Sequence, residues 1–181
     1  MVTGLNGQSG VVRGPGGAFY VATWGTADRP GTTIHRITPD GATSVFAEGG
    51  GILTAQPLAL DDDGYLYVGN AVSGAIHRID ATGLVEPFVE LPPLIGNRVH
   101  FGGVLYVTAP TERRVLRIDI VSRQISVLVG SGESALLDGI GEEASFVAPW
   151  GIAITPDGRE LWVSDAGSRG QDQIRRIVLD M

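Results

Sequence analysis

A strand pattern that occurs four times constrains the fold of this 181-residue chain more than any other sequence feature. Each copy contains a glycine turn, then an aromatic strand triplet, then a tetrad of the form aliphatic-x-Arg-Ile. The triplets, at intervals of 47, 39 and 56 residues, are Phe19-Tyr-Val, Leu66-Tyr-Val, Leu105-Tyr-Val and Leu161-Trp-Val. The tetrads are Ile34-His-Arg-Ile, Ile76-His-Arg-Ile, Val115-Leu-Arg-Ile and Ile174-Arg-Arg-Ile. A recurring unit of this length predicts a repeat architecture.

Each repeat is predicted to contain four short strands, a to d, joined by tight turns. The turns before the triplets are Pro15-Gly-Gly, Asp62-Asp-Gly, Phe101-Gly-Gly and Pro156-Asp-Gly. Asp-Gly between apolar runs is a strong hairpin signal, and the 27 glycines and 10 prolines supply many such turns. The strands are apolar on both faces, which is typical of a sheet packed between two others. The one helical candidate, residues 142–147, is short and lies in a long connection.

We therefore predict an all-β fold, a β-propeller of four four-stranded antiparallel blades in a single domain of residues 1–181. The repeat units span about 9–47, 51–90, 91–130 and 145–181, and residues 1–6 complete the last one. The fourth unit lacks a strand d of its own, so Val2 to Leu5 is predicted to pair with residues 174–179. Whether four blades close alone, form a larger ring or form a face-to-face homodimer stays open.

Residues 125–177 contain the fullest copy of the repeat and resemble the NHL repeat. The matching motifs are Gly130-Ser-Gly, Asp138-Gly-Ile-Gly, Ala144-Ser-Phe, Pro149-Trp-Gly-Ile-Ala, Asp157-Gly, Trp162-Val-Ser-Asp and Ile174-Arg-Arg-Ile. The resemblance implies a propeller related to the NHL and gluconolactonase-like group, in which six blades are common. For the lactonases of that group it also implies metal-ligand Glu, Asn and Asp side chains around the channel mouth.

Charge and composition exclude several partners. The net charge is −7 and no run of basic residues exceeds two, so a nucleic-acid surface is not expected. No apolar run approaches the roughly 18 residues that span a bilayer, and no signal peptide is visible, so the default expectation is a cytoplasmic protein without a membrane partner. The chain has no cysteine, which excludes disulfides and thiolate metal sites.

The predicted ligand-binding residues lie at the start of strand a and on the neighbouring loops. Alignment of the units puts Ser9, Gln56, Asn97 and Trp150 at one channel-mouth position. The full set of predicted ligand-binding residues is Gln56, Asn97, Arg98, Trp150, Trp24 and Asn70. Calcium prefers several oxygen ligands with carboxylates among them, and only Asn97 has a matching side chain, so no metal site and no cofactor are expected.

Two residues are candidates for catalysis, and each also has a structural interpretation. Asp165 follows the last aromatic triplet; in the NHL pattern it caps a loop through backbone N–H groups. His100 begins the third glycine turn without an evident carboxylate partner. The arginines of the tetrads suggest an anion-binding ring, or arginines that pair with acidic turn residues such as Asp61 and Asp157. His35 and His77 occupy equivalent positions, which indicates a structural role.

The sequence favours a non-catalytic binding or assembly scaffold whose variable loops bind a protein, a peptide or a small polar ligand. The alternative is a lactonase or lyase of the gluconolactonase-like group. That enzyme would need Asn97, His100 and Asp165 around one mouth, together with a divalent cation such as calcium.

Overall fold

A computed structural model of the chain describes residues 5, 7–26, 29–70, 73–93, 96, 98–167, 170 and 172–179. The chain divides into two compact units, residues 1–93 and 94–181. Each unit contains two larger antiparallel sheets, and these four are called blades 1 to 4 in chain order. None of the helices among these residues has the length and apolar character needed to cross a bilayer.

The first unit contains blades 1 and 2. The strands of blade 1 are β1 (Gln8–Arg13), β2 (Phe19–Thr23), β5 (Thr33–Ile37) and β6 (Thr43–Glu48), with a small hairpin of β3 (Gly25–Thr26) and β4 (Arg29–Pro30) between β2 and β5. The strands of blade 2 are β7 (Ala55–Leu60), β8 (Leu66–Asn70), β9 (Ala75–Ile79) and β10 (Val85–Glu90). In both sheets the strands are neighbours in chain order, and a single 3-10 turn covers Pro15–Gly17.

The second unit contains blades 3 and 4. The strands of blade 3 are β11 (Arg98–Phe101), β12 (Val104–Ala109), β13 (Arg114–Asp119) and β14 (Ile125–Val129). The strands of blade 4 are β15 (Pro149–Ile154), β16 (Glu160–Asp165) and β17 (Gln173–Val178). A 3-10 turn at Gly141–Glu143 is the observed form of the predicted helical segment.

The predicted strands a, b, c and d therefore correspond to observed strands throughout the described part of blades 1 to 3. In blade 4 the described residues supply strands a, b and c. The predicted pairing of Val2 to Leu5 with β17 falls mainly on residues 1–4, which lie outside the described residues, and it stays a prediction.

The fourth strand of a blade covers the aromatic residue of its second strand. The Tyr20 and Phe46 rings lie 4.6 Å apart in blade 1, and the Tyr67 and Phe88 rings lie 5.0 Å apart in blade 2. Phe46 and Phe88 sit at the same point of their strands, where a β-bulge interrupts the pairing with strand c. The bulge turns this side chain onto the sheet, so in blades 1 and 2 the fourth strand supplies an aromatic cover.

Apolar side chains between the paired blades form the cores. In the first unit Leu66, Val68 and Ile79 of blade 2 share a buried cluster with Ala22 and Ile34 of blade 1. In the second unit Leu161 of blade 4 packs with Tyr106 of blade 3. The interpretation that strands are apolar on both faces is confirmed for β8 and β12, in which every residue is buried.

Two of the tetrad arginines, Arg78 and Arg176, form ion pairs, and their partners are strand glutamates and not the acidic turn residues that were predicted. Arg78 pairs with Glu86 on the next strand at 2.9 Å, and Arg176 pairs with Glu160 at 3.5 Å. Asp61 instead accepts hydrogen bonds from the Tyr65 N–H and the Tyr67 hydroxyl. The arginines pair with glutamates because a glutamate on the neighbouring strand lies closer on the sheet surface than the turn residues do, as Glu86 lies opposite Arg78.

Candidate functional site

The start of strand a holds three of the aligned residues at equivalent positions. Gln56 lies opposite Gly69, and Ser9 and Trp150 lie at the matching register irregularities of β1 and β15. Asn97 lies outside the described residues, and Arg98 begins β11 opposite Val107. The predicted equivalence of these positions is confirmed for the three residues that the structure describes.

Trp150 is an exposed aromatic residue on a rigidly held backbone. Its side chain is 47% exposed, and Pro149 before it is buried. The Thr108 hydroxyl donates to the Trp150 carbonyl at 2.6 Å, and the Gly151 N–H donates to the Ser164 hydroxyl at 2.8 Å. Bonds on both sides of the residue fix its backbone, and the indole remains accessible.

Trp24 has a similar character in the first unit. It follows β2, and its indole is partly exposed. Its backbone N–H donates to the Gly7 carbonyl, and its carbonyl accepts from the Gly31 N–H at 2.8 Å. Both predicted tryptophans therefore combine an accessible ring with a fixed main chain.

Asp165 caps the loop before β15, as the NHL-type interpretation predicted. Its carboxylate is buried and accepts hydrogen bonds from the Val147 N–H at 3.0 Å and the Ala148 N–H at 2.7 Å. The guanidinium of Arg175 donates to the same carboxylate at 3.4 Å. Buried carboxylates are stable when donors surround them in this way, so the group is part of the scaffold.

Arg175 is the central residue that sequence reasoning missed. It is buried and also donates to the carbonyls of Ser145 at 3.0 Å and Leu137 at 2.8 Å. It pairs with Asp138 at 2.7 Å, and its guanidinium lies 5.0 Å from the centre of the Phe146 ring. The clue was in the sequence, because Asp138, Phe146 and Asp165 all belong to the NHL-like motifs.

Asn70 occupies in blade 2 the position that Asp165 occupies in blade 4. It is buried at the end of β8; its side-chain oxygen accepts from the Leu53 N–H at 2.9 Å, and its NH2 group donates to the Gly51 carbonyl at 2.7 Å. The amide therefore holds the loop before β7, and its predicted part in ligand binding stays untested.

His77 occupies in blade 2 the position that Arg175 occupies in blade 4. It lies opposite Val68 and is buried, and a Cβ on Gly51 would approach its Nε2 to 2.5 Å. Burial lowers the pKa of His77 below its ordinary value. In blades 2 and 4 the equivalent residues of strand b, Asn70 and Asp165, thus hold the loop that leads into strand a, and the equivalent residues of strand c, His77 and Arg175, are buried.

His100 and Asp165 lie at opposite ends of their blades. His100 lies near the end of β11, opposite Leu105 of β12, and its Nε2 accepts from the Gly103 N–H at 3.3 Å. Asp165 pairs with Pro149 at the start of β15. His100 lies level with Leu105, the first residue of its triplet, whereas Asp165 lies four residues after Leu161, the first residue of the triplet in blade 4. Four residues of strand span about 13 Å along the sheet. Among the described residues no group of three His, Cys, Asp or Glu side chains could hold a metal ion.

No protein-family model matches the chain. No curated protein matches it either.

Solved structures match the chain in fold. An inactive variant of virginiamycin B lyase from Staphylococcus aureus, crystallised with quinupristin, gives a TM-score of 0.64 at 18% identity, over 92% of this chain and 54% of the lyase. An auxiliary nutrient binding protein from Bacteroides thetaiotaomicron gives 0.68 at 15% identity, over 96% and 48%. A chain of the nidogen/laminin complex gives 0.67 at 13% identity, over 92% and 64%. This chain spans about half the length of the first two structures.

The lyase and the nidogen/laminin chain are β-propellers. Their likeness, together with the antiparallel sheets of the described residues, defines the class: the chain has an all-β propeller fold, as predicted, and the count of four blades stays a prediction. At these levels of identity the likeness concerns the fold alone.

Proposed function

We propose that the chain is an NHL-like propeller module that binds a protein, a peptide or a small polar ligand and performs no chemistry of its own. Trp150 carries this proposal. Large aromatic residues that are rigidly held and partly exposed are the usual anchors of protein interfaces. The net charge of −7 supports a partner other than nucleic acid.

The roles of the buried polar residues support the same proposal. Asp165 is a candidate for catalysis and Asn70 is a candidate for ligand binding, and both side chains form hydrogen bonds with loop backbone. A residue that holds a loop positions the exposed side chains on that loop, as Asp165 does for the segment that ends at Trp150. The similarity to a nutrient binding protein and to a component of the nidogen/laminin complex supports a binding role at the level of fold.

Peptides selected from a phage-displayed library on the immobilised chain test this proposal. We expect most selected peptides to lose binding to the Trp150→Ala variant and to keep binding to Val121→Ala. Val121 is the matched control because it is 92% exposed and lies in the turn between β13 and β14. Equal binding to wild type and Trp150→Ala would refute the role of Trp150.

The second candidate is an enzyme of the lactonase or lyase type, and the similarity to virginiamycin B lyase supports it. His100 would be its catalytic candidate, because the Asp165 carboxylate already accepts hydrogen bonds from loop backbone at the opposite end of its blade, and a divalent cation such as calcium would act with it in the lactonase case. Incubation with quinupristin and with gluconolactone, followed by mass spectrometry, tests it. Turnover that is lost in His100→Ala, or a rise in Tm on addition of calcium, would favour the enzyme over the binding module.

A further inference from the structure

Residues 49–54 connect β6 to β7 and are called the blade 2 loop. The backbone of this loop adopts a conformation that local preference does not explain. Thr54 has a φ of 47°, which is rare for a β-branched residue, and Gly51 has a φ of 94°. Such conformations persist where the surrounding structure holds them, so contacts with the rest of the first unit keep the loop in this form.

The Asn70 amide and the Ile52 side chain hold the blade 2 loop in place. The amide accepts from the Leu53 N–H at 2.9 Å and donates to the Gly51 carbonyl at 2.7 Å. The Ile52 side chain is buried in the core cluster that blades 1 and 2 share, whereas Leu53 is exposed. The loop is therefore anchored from its inner side only.

His77 of β9 lies against the inner side of this loop. Its side chain is buried, and a Cβ on Gly51 would lie 2.5 Å from the imidazole Nε2, so the ring packs directly on the loop backbone. No group in the described part of the chain forms a hydrogen bond with the imidazole Nδ1. A buried polar atom without a partner costs free energy, and a positive charge at the same place costs more.

The surroundings of His77 supply no counter-charge. On this face of the sheet, the neighbouring residues of β7, β8, β10 and the loop are uncharged: Leu58, Val68, Pro87 and Gly51. The face of blade 1 that packs on blade 2 carries Tyr20 and Arg36, which lie opposite each other. The acid that precedes the loop, Glu48, is exposed. An imidazolium in this position would therefore be buried without a partner.

The equivalent loop of blade 4 is held by charged groups. Asp165 takes the place of Asn70 and accepts from the Val147 N–H at 3.0 Å. Arg175 takes the place of His77 and donates to the Ser145 carbonyl at 3.0 Å. An arginine stays protonated in proteins, whereas a histidine changes its charge near neutral pH. Blade 4 thus has a permanently charged support where blade 2 has a neutral one that can titrate.

We propose that His77 is a pH-sensitive switch for the blade 2 loop: protonation of its imidazole releases residues 49–54, while the loop of blade 4 stays in place. In the open form water hydrates the imidazolium, whereas in the closed form the charge is buried and unpaired. The loop leads directly into Gln56, so its release displaces a predicted ligand contact. The switch does not depend on the proposed binding function.

The size of the effect follows from the titration of histidine. Burial lowers the pKa of His77 in the closed form, and an exposed imidazole has a pKa of about 6.5. At about pH 5.5 roughly ten exposed imidazoles are protonated for each neutral one. The ratio of open to closed loop should therefore rise by up to about tenfold between about pH 7.5 and pH 5.5.

Amide hydrogen exchange of the full chain at these two pH values, read by NMR, tests the switch. Protection factors are compared, because they correct for the pH dependence of the exchange chemistry itself. The protection of the Leu53 amide should fall about three- to tenfold on acidification. The Val147 amide, which makes the equivalent bond in blade 4, should change by less than about twofold. The amides of β8 should stay more protected than Leu53 at both pH values, because the loop opens without the sheet.

Two glutamine variants assign the effect to one imidazole. In His77→Gln the protection of Leu53 should be the same at both pH values, because glutamine does not titrate. His35→Gln is the matched control, because His35 has the same place in the tetrad of blade 1 but is only half-buried, and the fall should persist in it. Circular dichroism at both pH values checks that the variants are folded. If His77→Gln does not fold, the onset of the fall in wild type decides: it should lie near pH 6.5, and an onset below about pH 5 would assign it to a carboxylate.

Three results would overturn the proposal. The first is equal protection of Leu53 and the β8 amides at both pH values, which would show that the loop opens only with the sheet. The second is a fall in Leu53 protection that persists in His77→Gln. The third is a rise in Leu53 protection at the lower pH, which would show that the imidazolium bonds with the loop as Arg175 does in blade 4.

Discussion

Replacement of Arg175 by methionine should destabilise the protein far more than any other single change on β17. The guanidinium makes hydrogen bonds with the Ser145 and Leu137 carbonyls and with the carboxylates of Asp165 and Asp138. Methionine fills much of the same volume but satisfies none of these acceptors. The buried Asp165 carboxylate would keep its two backbone donors and lose its counter-charge.

The expected loss is about 3–5 kcal/mol, the range measured when one partner of a buried ion pair is removed. That is a large part of the roughly 5–15 kcal/mol by which a domain is stable. Arg176 is the matched control because it is the next residue, with an exposed side chain and a single ion pair at 3.5 Å. Arg176→Met should cost less than about 1 kcal/mol.

Urea unfolding followed by circular dichroism gives both free energies. The double variant Arg175→Met with Asp165→Asn should lose less than the sum of the two single variants, because the uncompensated charge is then absent. If Arg175→Met costs no more than Arg176→Met, the assignment of Arg175 to the structural core of blade 4 is wrong.

Three further changes test the loop supports of blade 2. His77→Gln should reduce the loss of stability between about pH 8 and pH 5.5. Burial lowers the pKa of His77, so below about pH 6.5 the unfolded chain binds a proton more readily than the folded chain, and the wild-type protein loses stability there. Unfolding curves of both proteins at the two pH values measure the difference. Gly51→Ala should lower Tm more than the control Gly41→Ala. Both glycines have positive φ, but only a Cβ at residue 51 meets another side chain, 2.5 Å from His77 Nε2. Equal shifts of Tm would show that the loop moves freely. Asn70→Ala should cost about 1–3 kcal/mol in urea unfolding because the Gly51 carbonyl and the Leu53 N–H lose their partly buried hydrogen-bond partner. A loss below about 0.5 kcal/mol, which ordinary surface substitutions also cause, would contradict the role of Asn70.

The repeat pattern predicted the strands well, because each signal is local. Asp-Gly turns, aromatic triplets and Arg-Ile tetrads set strand bounds within a residue or two, as for Val85–Glu90 and Ile125–Val129. The NHL resemblance also predicted that Asp165 caps a loop.

The contacts between strands and loops could not be predicted in this way. Arg175 and Arg176 are neighbours in sequence, yet one points into the core and the other to the surface. The face of β17 that packs on blade 3 decides which of the two arginines is buried. The repeat pattern pointed to Arg176, which is the exposed one. Asn70 was predicted as a ligand contact because it begins a variable connection between strands b and c, and its bonds to residues 51–53 could not be predicted because that loop is distant in sequence.

Hydrogen exchange at the amides of Val147 and Ala148 tests most directly whether buried polar residues of this propeller hold its loops. Both amides lie outside regular strands, and their only described acceptor is the Asp165 carboxylate. They should exchange as slowly as strand amides in wild type and become fast in Asp165→Ala, while the amides of β12 stay protected. Fast exchange of both amides in wild type would contradict this account.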